Sequence, residues 1–166
     1  MAREAIARQF DVDEDSVTFK RLTRTGKYDQ GRITFRAKKG KRISLDQLHE
    51  SLWATRLSGG TKSGLLSLEV TVVGEVVVNP KEVILRVTGF RDHFVLADDP
   101  KVERKDGEKS AFTQMHDAIA SGKQVINVTG RLDGWRGLWP NVLRELPPKP
   151  RRLILSGFET ASAKRK

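Results

Sequence analysis

The chain of 166 residues contains no cysteine. This absence excludes disulfide bonds, thiolate metal sites, iron–sulfur clusters and cysteine nucleophiles together. No apolar run approaches the roughly 20 residues that a membrane-spanning helix requires, and the first residues lack the apolar core of a secretory signal. We therefore expect a cytoplasmic protein that does not enter a membrane.

The sequence motifs of common catalytic sites are also missing. The chain has no P-loop, no Gly-x-Ser-x-Gly and no Gly-x-Gly-x-x-Gly. Its three histidines, His49, His93 and His116, are far apart, and none has a second ligand at metal-binding spacing. Asp98 and Asp99 precede a proline, which is typical of a turn that ends a strand. We expect no catalytic residue, no metal and no cofactor, and a protein that is not an enzyme.

The chain has an excess of positive charge. The formal net charge is +10 and the isoelectric point is about 10.1. A field of this sign attracts polyanions such as nucleic acid. From Lys20 to Arg42 there are ten Lys or Arg residues, and Asp29 is the one acid. Nearly all of the excess charge therefore lies in one stretch.

The N-terminal part of the sequence combines helix and strand patterns. Apolar residues at helical spacing predict a short helix over residues 3–10. Alternation of apolar and polar residues predicts a hairpin with strands near 16–20 and 32–36, joined by a long loop at 26–31. Ser44, with a glutamine three residues later, is typical of a helix N-terminus. The apolar stripe of that helix comprises Leu45, Leu48, Leu52 and Trp53.

The predicted hairpin has two contrasting faces. Alternation directs Val17, Phe19, Ile33 and Phe35 toward a core. The opposite face and its end carry the candidate phosphate-binding residues, which are Lys20, Arg32, Arg36, Lys38, Lys39, Lys41 and Arg42. Such contacts give salt-dependent affinity with little sequence preference. Base recognition by this face is not expected, because its outward positions are Thr, Lys and Arg rather than aromatic residues. The alternative is an ordinary solvated basic face.

The C-terminal hundred residues predict three strands, a helix and two further strands. The strands fall near 67–78, 82–87, 94–96, 125–132 and 153–158. The helix begins after Ser110 and presents Phe112, Met115 and Ile119 on one face. This order resembles that of the OB-fold, a small five-stranded barrel with a helix between its third and fourth strands. The alternative is another small antiparallel barrel.

Two segments carry the OB-fold resemblance in detail. Val70–Val76 and Val128–Leu132 look like the first and fourth strands of OB proteins. In that family a glycine or bulge lets the long first strand bend and serve both sides of the barrel, and Gly74 has the position to do so.

Many OB proteins bind their ligands with the loop that joins the fourth and fifth strands, here residues 133–152. Exposed tryptophans beside arginines suit stacking on unpaired bases. The candidate binding residues of this region are Arg131, Trp135, Arg136 and Trp139. The alternative is that the tryptophans pack over the end of the barrel.

The N-terminal order of helix, strand, strand, helix and strand resembles a ferredoxin-like domain without its first strand. Residues 43–48 are similar to the entry of the second helix in heavy-metal-associated domains. Those domains bind metal through Cys-x-x-Cys, which this chain lacks, so the resemblance implies a fold and no metal site. Whether the run 65–78 completes this module, begins the barrel or does both is open.

The fold class predicted is α+β, with a ferredoxin-like αββαβ module at residues 1–64, an OB-like barrel at 65–160 and a basic tail at 161–166. The predicted function is non-enzymatic binding of single-stranded DNA or RNA, mainly through backbone phosphates. The alternative is a protein–protein interaction or scaffold module of a larger assembly. The oligomeric state is not predicted.

Overall fold

The computed structural model divides the chain into two compact units, residues 1–54 and 55–166. It describes residues 6–7, 9–25, 28–54, 67–88, 92–133, 137–138, 142–143 and 147–161. The expected module boundary at 64/65 lies outside these residues, as does nearly all of the expected basic tail. Both stay predictions.

The first unit contains an antiparallel ribbon of strands β1 (Thr18–Thr25) and β2 (Tyr28–Thr34). Pairing continues to the last residues of both strands, so only residues 26 and 27 separate them. The predicted long loop over 26–31 is therefore wrong. Gly31, which suggested a loop, lies inside β2 opposite the first strand, and the Phe19 ring occupies the space where a Cβ would stand.

A small apolar core supports the base of this ribbon. Val17 is 2% exposed and is buried together with Ile6 and Val12, and a set of half-buried side chains packs around them: Ala7, Phe10, Ile33, Phe35 and Ile43. Val12 also forms a β-bridge with Ala37, which joins the segment before β1 to the segment after β2. The turn between Val12 and β1 is a single 3-10 turn, Glu14–Ser16.

Helix α1 (Leu45–Ala54) begins where the sequence predicts, because the Gln47 amide donates a 3.3 Å hydrogen bond to Ser44 Oγ and Leu48 is buried. The ferredoxin-like prediction finds no support. In the described part of the first unit the sheet has two strands. The run 65–78 was the candidate for a further strand of this module. Its residues 69–78 pair instead with strands of the second unit.

The second unit is a closed five-stranded barrel. Its strands follow the order β3-β4-β5-β9-β6 around the barrel, and all neighbours are antiparallel except β5 and β9, which are parallel. This arrangement is compatible with the predicted OB-like barrel. Because β5 and β9 are parallel, the barrel is not wholly antiparallel. The strands are β3 (Glu69–Val78), β4 (Val83–Val87), β5 (His93–Ala97), β6 (Gln124–Leu132) and β9 (Arg151–Ala161).

Strand β3 changes partner at Gly74. Residues 69–73 pair with β6, and residues 74–78 pair with β4. A Cβ at Gly74 would overlap the carbonyl oxygen of Arg86 and would lie 3.0 Å from Leu85 Cδ1. Only glycine lets β4 approach this closely, and β3 pairs on both sides of the barrel, as predicted for a first strand with a glycine at this position.

Helix α2 (Ala111–Ala120) lies between β5 and β6 in the chain and contributes Met115 to the barrel core. Ser110 Oγ accepts a 3.0 Å hydrogen bond from the Thr113 amide, which confirms the predicted N-cap. Burial of each large apolar side chain stabilises the fold by about 1.5–3 kcal/mol. The most buried side chains here are Leu85, Met115, Val128, Leu132 and Leu153.

Candidate functional site

The exposed face of the ribbon brings two cations directly opposite each other. Lys20 on β1 pairs in register with Arg32 on β2, next to the Thr18–Thr34 pair. All four residues are exposed. Like charges at directly opposed positions of an antiparallel pair destabilise it. Within the described part of the chain, neither the Lys20 nor the Arg32 side chain has an ion-pair partner.

The cations that follow β2 are in a different situation, because the fold places acids against them. The β-bridge between residues 12 and 37 aligns the acidic segment 11–15 with the basic segment 36–42. Arg36 Nη2 lies 2.8 Å from Asp13 Oδ2, and Lys41 Nζ lies 3.4 Å from Asp11 Oδ2. The hydrogen bond from Arg36 lowers the pKa of Asp13 below its ordinary value.

Lys38 and Lys39 border a shallow concavity of about 350 Å³ that they share with Asp13, Glu14 and Asp15. The backbone turns sharply here, with the Lys41 amide donating to the Lys38 carbonyl, and Gly40 takes a positive φ of 76°. Three carboxylates beside two ammonium groups cancel much of the local positive charge. This end of the basic stretch is therefore less positive than its sequence suggests.

The seven predicted hairpin residues thus fall into two groups. All seven are exposed, as the alternation indicates. Lys20 and Arg32 lie opposite each other on the ribbon, and neither has an acidic partner among the described side chains. The others lie beyond β2, where acids from residues 11–15 accompany several of them. Sequence counting missed these acids because they precede the basic stretch in the chain.

Phe19 differs most from its predicted environment. It stands opposite Ile33 on the core-facing side of the ribbon, yet it is 59% exposed. The small core reaches Val17 and Ile33 and ends there, because β1 extends past it into solvent. The alternation pattern gave no signal of this, since it predicts the side that a residue faces and not how far the core extends.

In the second unit, the candidate binding residue Arg131 lies beside a carboxylate. Arg131 Nη2 lies 3.3 Å from Asp99 Oδ2. The pKa of Asp99 is lowered, first by the hydrogen bond from the Lys101 amide and also by Arg131. Asp98 accepts a 2.6 Å hydrogen bond from Arg104. These two carboxylates therefore fix the end of β5, where the sequence predicts a turn.

The loop between β6 and β9 is only partly described, and Trp135, Arg136 and Trp139 lie outside the described residues. Its described residues include a short antiparallel ribbon of β7 (Gly137–Leu138) and β8 (Val142–Leu143). Where the loop joins the barrel it is held by the Asp133 amide, which donates to the Arg152 carbonyl at 2.9 Å.

Further along the loop, Lys149 Nζ lies 2.7 Å from Asp92 Oδ2, and the hydrogen bond between them is the main cause of the lowered pKa of Asp92.

The described residues contain no group of three or more His, Asp or Glu side chains placed to hold a metal ion. None of the helices found in these residues has the length and apolar character to span a membrane.

Comparison with known proteins yields no relative from which a function can be transferred. No family model, no curated protein and no solved structure matches this chain.

Proposed function

We propose that the protein is a non-enzymatic binding protein that engages single-stranded nucleic acid through its backbone phosphates. The observation that supports this most directly is the Lys20–Arg32 pair on the exposed ribbon. These two opposed cations have no carboxylate partner among the described side chains, so they repel each other in the free protein. A phosphate placed between them relieves the repulsion and releases counterions from the nucleic acid.

The barrel is the second support for this proposal. We propose that it is an OB-fold, a fold on which oligonucleotide-binding surfaces are common. Fold alone does not establish a ligand, so the proposal rests on the charges of the ribbon. Arg131 has a smaller part than the sequence indicated, because Asp99 already pairs with it.

The proposal is tested by measuring the affinity for an oligothymidine of about 20 nucleotides over a range of salt concentrations. Each phosphate contact contributes about 0.7 to the slope of log affinity against log salt for single strands. The double variant Lys20→Gln/Arg32→Gln should lower this slope by about 1.4. Between about 50 and about 200 mM salt, the affinity loss should then be about sevenfold smaller than for the wild type.

The matched control removes the same charge from the second unit. Lys105 and Lys123 are exposed, and Lys105→Gln/Lys123→Gln changes the net charge equally. Its salt slope should stay at the wild-type value. Equal slopes for the two double variants would show that only net charge matters, and a wild type that does not bind would refute the proposal.

A second function, docking of another protein on the barrel, is favoured by one observation. Val73 is 62% exposed although it lies in the middle of β3, and Ile126 is also exposed on the neighbouring strand β6. Copurification of one stoichiometric protein, lost in Val73→Lys and accompanied by no nucleic acid, would favour docking over the proposed function.

A further inference from the structure

Phe19 is a large aromatic side chain on the ribbon, and it is mostly exposed. It directly precedes Lys20, and its cross-strand partner Ile33 directly follows Arg32. The phenyl ring is therefore adjacent to Lys20 along β1 and diagonally across from Arg32 on β2. The ring and the cations project to opposite faces of a ribbon that is only two strands wide.

The phenyl ring of Phe19 packs against the backbone of β2 at Gly31. Gly31 lies diagonally across from Phe19, and a Cβ at Gly31 would overlap Cε2 and Cζ of the phenyl ring. The absence of a side chain at this position lets the far edge of the ring lie against the backbone of β2. A ring held on one side by backbone and exposed on the other is pre-organised for contact with a flat ligand.

We infer that Phe19 is a stacking platform for an unpaired base, and that the ligand of the ribbon is therefore a single strand rather than a duplex. The inference rests on the proposed function, in which Lys20 and Arg32 contact the phosphates. Sequence-tolerant binding of single strands combines a basic surface along the backbone with aromatic side chains on which bases stack. In a duplex both faces of a base are covered by its neighbours, so the ring has nothing to stack on.

The binding mode follows from the geometry of the ribbon. A single strand that runs along a ribbon edge turns its phosphates toward the Lys20–Arg32 face and one base toward the Phe19 face. Arg21 shares the Phe19 face and lies directly opposite Gly31. This placement predicts little preference among bases, because every base has a π-face.

The experiment compares Phe19→Leu and Phe19→Trp by fluorescence anisotropy of a labelled oligothymidine. Leucine keeps apolar bulk but has no aromatic face, and tryptophan keeps one. Phe19→Leu should weaken single-strand affinity about 5- to 150-fold, the range for loss of one base–aromatic stack. Phe19→Trp should bind at least as tightly as the wild type. The salt slope should be unchanged in both variants, because neither substitution removes a charge.

Two further probes separate stacking from general hydrophobic contact. An abasic oligomer of the same length should bind the wild type and Phe19→Leu equally, because it has phosphates but no bases. Leu22→Ala removes the other exposed apolar side chain of β1 and should leave affinity unchanged. Gly31→Ala, which displaces the ring without changing charge, should lose affinity for oligothymidine and not for the abasic oligomer.

Failure of the inference is distinguishable from failure of the proposed function. If Phe19→Leu binds like the wild type while Lys20→Gln/Arg32→Gln weakens binding, stacking is refuted and phosphate binding stands. Equal affinity of the wild type for the single strand and for a duplex of the same length also refutes stacking. If the wild type binds neither, the proposed function itself is refuted.

Discussion

Replacing Gly74 by alanine should destabilise the barrel specifically. Gly74 is the residue at which β3 leaves β6 and begins to pair with β4. An added Cβ would overlap a backbone atom, the Arg86 carbonyl oxygen, which cannot move aside as the end of a flexible side chain can. The strand pair must therefore separate locally or strain, and either response weakens the closure of the barrel.

The magnitude follows from two opposing effects. Overpacking by one methyl group costs about 1–3 kcal/mol, and a clash with backbone places Gly74→Ala near the upper end. Alanine also restricts the unfolded chain, which offsets about 0.4–1 kcal/mol. The net loss in the free energy of unfolding should be about 2 kcal/mol. With a urea m-value of about 2 kcal/mol/M, the unfolding midpoint should fall by about 1 M.

Gly157 in β9 provides the matched control. A Cβ there would have no atom within 4 Å, and its φ is not among the positive ones. Gly157→Ala should therefore leave the midpoint unchanged or raise it by up to about 0.5 M. Hydrogen exchange at increasing urea, read on peptides of residues 67–88 and 147–161, reports the barrel separately from the first unit. Equal midpoints for the two variants would contradict the role assigned to Gly74 in the pairing of β3 with β4.

Two further predictions concern a helix cap and a carboxylate. Ser110→Ala removes the acceptor of the Thr113 amide, so α2 should lose about 0.5–2 kcal/mol of stability in the same hydrogen-exchange experiment, and unchanged protection would contradict the cap. Because Arg36 lowers the pKa of Asp13 from its ordinary value of 3.8, the folded state gains stability from this carboxylate above that pH and loses it as the pH falls through the lowered pKa. Arg36→Gln should return the Asp13 pKa toward 3.8 in an NMR titration of the carboxyl carbon, and a pKa that stays low would assign the shift to other groups.

The barrel was largely predictable because its decisive features are local in sequence. A β-branched run interrupted by Gly74 indicates a bent strand, and Ser110 before an apolar stripe indicates a capped helix. Both patterns can be read from a few neighbouring residues in the sequence. The order of these elements was then sufficient to predict a five-stranded barrel, although not the short β7–β8 ribbon inside its last loop.

The first unit was predicted less well because its features depend on contacts between distant residues. A glycine such as Gly31 is typical of a loop. Here it lies within a strand, because the Phe19 ring occupies the space that a side chain at this position would need. The acids of residues 11–15 appear unrelated to the basic stretch until the bridge from Val12 to Ala37 aligns them. Neither the contact between Phe19 and Gly31 nor the alignment of the acids with the basic stretch can be read from a local sequence pattern.

The same contacts change where a polyanion is expected to bind. A charge count over residues 20–42 weights all ten cations equally, but an ion pair with a nearby carboxylate must be broken or shared before a phosphate can use the cation. Arg36 and Lys41 each have such an ion pair to break. Lys20 and Arg32 have none with the side chains that the structure describes. Their part of the ribbon extends beyond the small core, and two-stranded ribbons gain little stability of their own in water. Under the proposed function, a ligand that neutralises the Lys20–Arg32 repulsion would also stabilise the ribbon, and binding and local folding would be linked through the same two charges.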